Sequence, residues 1–290
     1  MMSLGLQTAF HEITLVLFTT LAPSGALGLV VVAGVVAFSG IDVFERKRVN
    51  KFLVLPLAIS MVGLVASATH LGTPANALYV FTGVGRSPLS NEVFAAVVFL
   101  MLSGLYWLYS FARRPKRMLQ NVWLGLIMVT GLIFIGTIAF AYNSHTIIAW
   151  NTPYIPLNLA LNALVGGPLI ALLTLQLARI DLIKGVMGKS LCLVSAVALI
   201  ANTTSISLQN SDLGMIANEV TSLPEVVPYY WIVMLAFFIL SAGGIVLFAR
   251  PVFRGTKLKL PVSIAACSLV LVGIFLTRFS FYAMHLTSGL

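Results

Sequence analysis

The sequence predicts an all-α integral membrane protein built as a bundle of eight transmembrane helices. Hydrophobic residues make up 59% of the 290 residues and charged residues only 9%, whereas soluble domains are roughly half apolar and about a quarter charged. The mean hydropathy is +1.03. The apolar runs are continuous and about 20 residues long, as a helix needs to cross roughly 30 Å of hydrocarbon. Helices also pair every backbone amide internally, as lipid requires. We interpret residues 1–290 as a single membrane domain.

The eight helices follow one another along the chain, each on one apolar run. The first run is too long for a signal-peptide core, and Pro23 within it is a place for a kink. The fifth contains Gly166 and Gly167 directly before Pro168, and such small residues permit close helix contact. The predicted ranges are about 13–39, 52–69, 90–111, 121–142, 158–179, 190–209, 229–249 and 261–283.

Basic residues are distributed unevenly between the two sets of connections. Of the 17 Lys and Arg residues, 15 flank the connections after the odd-numbered helices, and only Arg86 and Arg278 lie on the other side. An excess of Lys and Arg marks cytoplasmic loops. We therefore expect both termini on the outer, periplasmic side. We also expect the net charge of +9 to serve membrane orientation and not nucleic-acid binding.

The connection HLGTPANALYVFTGVGRSPLSNE begins and ends with an ionisable residue. His70 ends the second helix, where the helix dipole favours a cation. Glu92 opens the third helix, in its first turn, with Ser90 or Asn91 as the expected N-cap. Each residue is explained either as dipole-stabilising or as a proton acceptor at the membrane edge, and the alternatives stay open.

Two arginines occur on the side that is otherwise poor in basic residues. Arg86 either pairs with Glu92 or lies among lipid headgroups. Arg278 lies inside the last helix, in IFLTRFSFYAMH, where a lipid-facing charge costs about 2.5–3.5 kcal/mol. We expect Arg278 to face the bundle or to reach outward. With Tyr282 and His285 it would line one side of an outer pocket, unless packing and interfacial anchoring explain all three.

Metal and cofactor chemistry has little support in the sequence. Cys192 and Cys267 lie inside apolar runs, and no CxxC, HExxH, Walker A or GxSxG motif occurs. Iron–sulfur ligation is therefore not expected. All four histidines fall at outer helix ends, which argues against two stacked haems and leaves only one outer haem open. Near the same ends, Tyr142, Trp150 and Tyr154 fit an interfacial aromatic belt.

Several short motifs occur in a fixed order along nearly the whole chain: HEITLVLFTT, HLGTP, LSNE, YNS, GGPL and RFSFYAMH. Their order and spacing resemble the membrane-anchor subunit of bacterial dimethyl sulfoxide reductases, the DmsC family. The resemblance implies an anchor in the bacterial inner membrane that oxidises menaquinol. It also implies two partners, a molybdopterin catalytic subunit and a four-cluster iron–sulfur subunit, and no haem, iron–sulfur cluster or molybdopterin in this chain.

The same resemblance implies site residues. The quinol-site histidine of the family matches His70, and its essential glutamate matches Glu92. Where family members carry an arginine a few residues after the histidine, this chain has Asn76, so Arg86 or Arg278 is the alternative source of positive charge. We expect menaquinol to be bound by these five residues, with His70 and Glu92 as proton acceptors and with terminal reduction in a partner.

Two other functions stay open. A proton-coupled transporter predicts charged or broken-helix features near the membrane midplane and often two related halves. A pure anchor, with quinol bound elsewhere in the complex, needs no proton acceptor at all.

Overall fold

A computed structural model describes residues 4–70, 74–180, 185–213, 227 and 229–284, and it confirms the all-helical prediction. Within this described part, eight helical spans are long and apolar enough to cross a membrane, with α3 and α4 together forming the second. Two 3-10 helices, Pro74–Gly83 and Ile148–Trp150, lie in connections. The α-helices are α1 Leu4–His11, α2 Ile13–Phe38, α3 Val43–Phe52, α4 Val54–Ala68, α5 Pro88–Tyr109, α6 Arg117–Ala141, α7 Tyr154–Leu177, α8 Val186–Leu213, α9 Tyr230–Arg254 and α10 Leu260–Ala283.

The second span begins at Val43, well before the predicted start near residue 52. Asp42 caps it, because its carboxylate accepts the Glu45 N–H at 2.7 Å. The Glu45 carboxylate accepts the Asp42 N–H in return at 3.3 Å, which completes a capping box. A strong start signal therefore extends the helix through a basic segment that hydropathy alone leaves out.

The third span also begins earlier than predicted. Its N-cap is Ser87, followed by Pro88 at the first helical position, so the expectation of Ser90 or Asn91 as the cap was wrong. Glu92 consequently lies in the second helical turn. Since the dipole effect falls off within the first turn, a dipole-stabilising role no longer accounts for Glu92.

Helix α1 was not predicted. It packs against α10, where Phe10 meets the edge of Phe279 with ring centroids 5.1 Å apart. This contact fixes the N-terminal segment beside the last span.

The two central helices are α2 and α7, and most of their residues are buried. A Cβ added at Gly167 would lie 2.7 Å from the Leu27 Cβ, and one at Gly166 would lie 2.9 Å from Ser24 Oγ. This confirms that the Gly-Gly pair serves close helix contact. Pro23 lies inside α2, which continues as one helix from Ile13 to Phe38.

Contacts between span ends define two ends of the bundle. At one end, Arg46 Nη2 donates to Asn121 Oδ1 at 2.6 Å and the Tyr106 hydroxyl donates to Asn50 Oδ1 at 3.1 Å. We call this the basic end, and the described residues 39–42, 110–116, 178–180 and 255–259 lie there. The described residues 69–70, 74–87 and 142–153 lie at the opposite end.

Candidate functional site

Glu92 is the most deeply buried carboxylate among the described residues, with 2% of its surface exposed. It shares a buried face of α5 with Ala95, Ala96 and Phe99, a spacing that turns one side of a helix towards its neighbours. Its Oε2 atom is buried and has no hydrogen-bond partner among the described residues. An unpartnered buried carboxylate is costly, so packing alone gives no reason for a glutamate at this position.

Two tyrosines lie close enough to Glu92 to interact with it electrostatically. Tyr142 follows the end of α6, Tyr282 lies in the last turn of α10, and their ring centroids are 5.9 Å apart. Burial, together with the neighbouring Tyr282 and Glu92, raises the pKa of Tyr142 well above its usual range. The Tyr142 hydroxyl therefore stays protonated and can donate a hydrogen bond. The Tyr282 hydroxyl is buried and forms no well-aligned hydrogen bond with a described residue.

Arg278 faces the bundle and is only 3% exposed, which settles the choice between burial and outward reach. Its Nε donates to Thr19 Oγ1 at 3.0 Å. The guanidinium carbon lies 4.1 Å from the Phe281 ring centroid and 5.5 Å from that of Tyr282, within cation–π range. No described carboxylate lies within 4.0 Å of the guanidinium, and the buried Nη2 makes no well-aligned hydrogen bond with a described residue.

Trp150 covers this cluster and does not belong to an interfacial belt. It is 7% exposed and stacks on Phe281 with a centroid separation of 4.3 Å. Its Nε1 donates to the Phe281 carbonyl at 3.3 Å. The belt expectation for Trp150 was therefore wrong, because the ring packs inward against the last span.

His70 pairs with a residue that sequence reasoning did not assign. Its Nε2 lies 3.3 Å from Glu12 Oε2, and the two side chains are 42% and 21% exposed. Thr19, which binds Arg278, follows Glu12 by seven residues, or about 10.5 Å along a helix. The His70–Glu12 pair therefore lies nearer the end of the bundle than Arg278 does. His70 forms no ion pair with Glu92 among the described contacts. The two predicted proton acceptors thus have separate surroundings.

Among the remaining predicted residues, Arg86 is not part of the buried cluster. Arg86 is exposed and forms no ion pair with a described residue, so of its two alternatives the pair with Glu92 is not formed. Its turn is held by the Gly85 N–H, which donates to Asn91 Oδ1 at 2.6 Å. Asn76 lies in the 3-10 helix Pro74–Gly83, but its side chain is outside the described structure, and His285 is outside it altogether.

A buried amide layer between α7 and α8 was missed from sequence. Asn158 Nδ2 donates to Gln209 Oε1 at 2.8 Å, and Asn202 Nδ2 donates to Asn162 Oδ1 at 2.6 Å. A cavity of about 30 Å³ lies between this layer and Arg278. The sequence does contain a signal for this layer. Asn158 and Asn162 are four residues apart on α7, and Asn202 and Gln209 are seven apart on α8, so the two amides of each helix lie on one face.

The described part of the protein contains no candidate metal site, because it has no group of three or more His, Cys, Asp or Glu side chains that could hold a metal ion. What the buried cluster offers is an acceptor on Glu92 and donors on Arg278, Tyr142 and Tyr282. Such a set can recognise a small molecule that carries both hydroxyl and carbonyl oxygens.

Comparison with known proteins gives one family and several full-length relatives. The family model described as DMSO reductase anchor subunit (DmsC) matches residues 6–284. The protein is 29% identical over 284 residues to the C subunit of the anaerobic dimethyl sulfoxide reductase of Escherichia coli K12, covering 98% of both sequences. It is also 29% identical to the anaerobic dimethyl sulfoxide reductase subunit YnfH of the same organism, over 97% of both sequences. The identity to the C subunit of the Haemophilus influenzae reductase is 29%, over 98% of this protein and 99% of the relative.

Proposed function

Because the protein belongs to the family of DMSO reductase anchor subunits (DmsC), we propose that it oxidises menaquinol and passes the electrons to an iron–sulfur partner. It is a membrane anchor of a dimethyl sulfoxide reductase complex and a multi-pass protein of the bacterial inner membrane. We assign it two partners, a molybdopterin catalytic subunit and a four-cluster iron–sulfur subunit. Family membership favours this function over the proton-coupled transporter.

The observation that carries the proposal is the buried Glu92 carboxylate, whose Oε2 has no described hydrogen-bond partner. A quinol that becomes a quinone loses a proton from each hydroxyl and one electron with each proton. A base within hydrogen-bond reach of a hydroxyl is therefore required. Glu92 would accept the proton from one hydroxyl, the proton from the other hydroxyl would pass to His70, and the two electrons would leave to a cluster of the partner.

The positive side of the cluster would hold the other end of the headgroup. Arg278 Nη2 and the Tyr282 hydroxyl are buried donors without well-formed hydrogen bonds to described residues. Donors of this kind stabilise negative charge as it develops on a quinol oxygen. Arg278 thereby supplies the positive charge that Asn76 does not carry.

His70 would act where protons leave the site. It pairs with Glu12 and keeps 42% of its side chain exposed, and an imidazole ring nitrogen can accept a proton. A proton accepted by His70 can therefore pass directly to water. Arg86, exposed on the connection between α4 and α5, would contribute to the outer rim of the quinol site, and Asn76 lies on the same connection.

The test replaces the two proposed acceptors separately, as Glu92→Gln and His70→Ala. We expect each to lower menaquinol-dependent reduction of dimethyl sulfoxide by about a hundredfold or more, the range for loss of a general base. Activity with an artificial soluble donor, which bypasses the anchor, should persist. The two activities are measured on the same membranes.

Asp42→Asn is the matched control, since it makes the same chemical change at the basic end and asparagine also caps helices. Its quinol-dependent activity should equal that of the wild type. Full quinol turnover in Glu92→Gln would overturn the proposed role of Glu92. Loss of both activities would instead indicate failed assembly, which the amount of complex in the membrane reports directly.

A further inference from the structure

A cleft at the basic end lies far along the bundle from the proposed quinol site. It has a volume of about 190 Å³ and lies where the start of α3 meets the connection between α5 and α6. We call it the basic cleft, and its polar lining consists chiefly of Arg46, Lys47, Asn50, Arg113, Arg117 and Gln120.

The charge of the basic cleft is one-sided. Four cationic side chains line it, and no Asp or Glu is among its described lining residues. The nearby Asp42 and Glu45 are occupied with each other in the capping box, and Glu45 also lies 4.0 Å from Arg48. Cations that converge in a concave, partly apolar site focus a positive potential, so the preferred ligand is an anion.

Arg46 makes the basic cleft a built site and not a surface patch. It is 6% exposed, and its Nη2 donates to Asn121 while Nη1 donates to the Val36 carbonyl at 3.4 Å. Its Nε is buried and has no hydrogen-bond partner among the described residues. A buried guanidinium with neutral partners alone keeps an uncompensated charge, which an anion in the cleft would neutralise.

The start of α6 adds a second attraction for an anion. Arg117 is the first residue of this helix, and the preceding Lys116 provides no side-chain cap. The first backbone N–H groups of a helix have no intrahelical acceptor, and they carry the positive end of the helix dipole. Phosphate oxygens are suitable acceptors for such groups.

The surroundings of the basic cleft are apolar and exposed. Phe44, Phe111 and Met118 adjoin its lining residues in sequence, and all three are exposed. Exposed apolar side chains at the end of membrane spans are suited to contact with acyl chains. The cleft thus combines a phosphate-binding base with a lipophilic rim.

We propose that the basic cleft binds the phosphodiester headgroup of an anionic phospholipid, with the acyl chains lying over Phe44 and Phe111. Arginine pairs with phosphate through two parallel hydrogen bonds, and basic pockets between transmembrane helices take up anionic headgroups. Free phosphate shares the headgroup chemistry, but it would leave the apolar rim uncovered.

The experiment measures lipid retention by the full-length protein, purified with its accompanying subunits and stripped of lipid by detergent exchange. Phosphatidylglycerol and phosphatidylcholine with identical acyl chains are titrated in, and bound lipid is counted by native mass spectrometry. We expect retention of phosphatidylglycerol and not of phosphatidylcholine. In a parallel arm, inorganic phosphate should leave the thermal unfolding temperature unchanged, whereas phosphatidylglycerol should raise it.

The variant combines Arg113→Gln and Arg117→Gln, both at exposed positions. Affinity for phosphatidylglycerol should fall about 25-fold, since each basic residue contributes about fivefold to attraction by an anionic lipid surface. The control combines Arg254→Gln and Lys257→Gln, which remove the same charge elsewhere at the basic end and should retain wild-type affinity.

Three results would overturn the lipid site. The first is equal retention of phosphatidylglycerol and phosphatidylcholine. The second is a loss of affinity in the control variant as large as that in the Arg113/Arg117 variant. The third is a rise in unfolding temperature with inorganic phosphate as large as that with phosphatidylglycerol. If the double variant does not accumulate, the comparison of the two lipids and phosphate on the wild-type protein decides the matter alone.

Discussion

Arg278 carries a full charge among aromatic rings and contacts no described carboxylate. Burying a charge that has no ionic partner costs desolvation free energy, which an apolar side chain of similar volume does not cost. We therefore expect Arg278→Met to retain or gain thermal stability while lowering menaquinol-dependent activity at least about tenfold, as for loss of a charged hydrogen-bond donor. Parallel unfolding and activity measurements on the purified complex check this split.

Arg254→Met is the matched control, because Arg254 is exposed at the basic end. It should leave both quantities unchanged. A fall in both stability and activity for Arg278→Met would show that the arginine serves folding, and unchanged activity would remove it from the quinol site.

The sequence predicted single site residues where a charged side chain lies within an apolar run, because burying such a charge costs free energy. Glu92 and Arg278 stood out because a charge within an apolar run requires a reason, and both are buried. The pairing of His70 with Glu12 was not predictable, since their contact joins the start of one span to the end of another. Trp150 was misassigned because an aromatic ring at the end of a span can face either lipid or protein, and the sequence does not distinguish the two.

At the scale of helices, α9 and α10 pack so closely that their contact surface leaves no room for an added side-chain atom. A Cβ at Gly244 would lie 2.5 Å from the Ala266 carbonyl oxygen, whereas one at Gly243 would have no atom within 4 Å. We expect Gly244→Ala to lower the free energy of unfolding by about 1–3 kcal/mol, the range for overpacking. Unfolding in detergent micelles provides the measurement.

Gly243→Ala is its control, on the same helix and one residue away. It should be neutral or stabilising, since alanine favours a helix by about 1 kcal/mol over glycine. Similar effects of the two substitutions would contradict the close approach of α9 and α10.

The amide pair between α7 and α8 permits a double-mutant cycle. Asn202→Leu removes the donor that reaches Asn162 Oδ1 at 2.6 Å and leaves a buried acceptor unsatisfied, at a cost of about 1–3 kcal/mol. Adding Asn162→Leu should cost less than the sum of the single changes. The coupling energy is expected at about 0.6–1.7 kcal/mol, as for membrane hydrogen bonds. Strict additivity would mean that the bond contributes nothing.

Hydropathy located every span but not its ends. It marks the hydrocarbon-crossing part, whereas the true starts follow from caps such as Asp42 and Ser87. Helix α1 escaped notice because eight residues are too few for a span, and it is held by contact with α10.

For the whole molecule, the distribution of Lys and Arg predicts the basic end in the cytoplasm and both termini in the periplasm. Alkaline phosphatase fused after Leu290 should be active, and the enzyme fused within residues 255–259 should be inactive. Green fluorescent protein at the same two positions should give the reverse pattern. Active phosphatase within 255–259 would invert the proposed orientation.

The buried cluster is a property of the assembled bundle. Thr19, Glu92, Tyr142 and Arg278 come from α2, α5, the end of α6 and α10, and no local pattern relates them. Helix existence follows from composition, but which faces meet depends on packing across the whole protein. That is why the sequence predicted Glu92, Arg278 and Tyr282 as site residues but did not predict that either tyrosine lies near Glu92.

The bond between Thr19 and Arg278 joins the first span to the last, and this has a consequence for biogenesis. Polypeptides emerge from the ribosome N-terminus first, so α2, which lacks charged residues, can enter the bilayer without waiting for a partner. The guanidinium of α10 is synthesised only after its partners Thr19 and Tyr142. A protein truncated before α10 would therefore lack Arg278, and insertion of the final span completes the assembly.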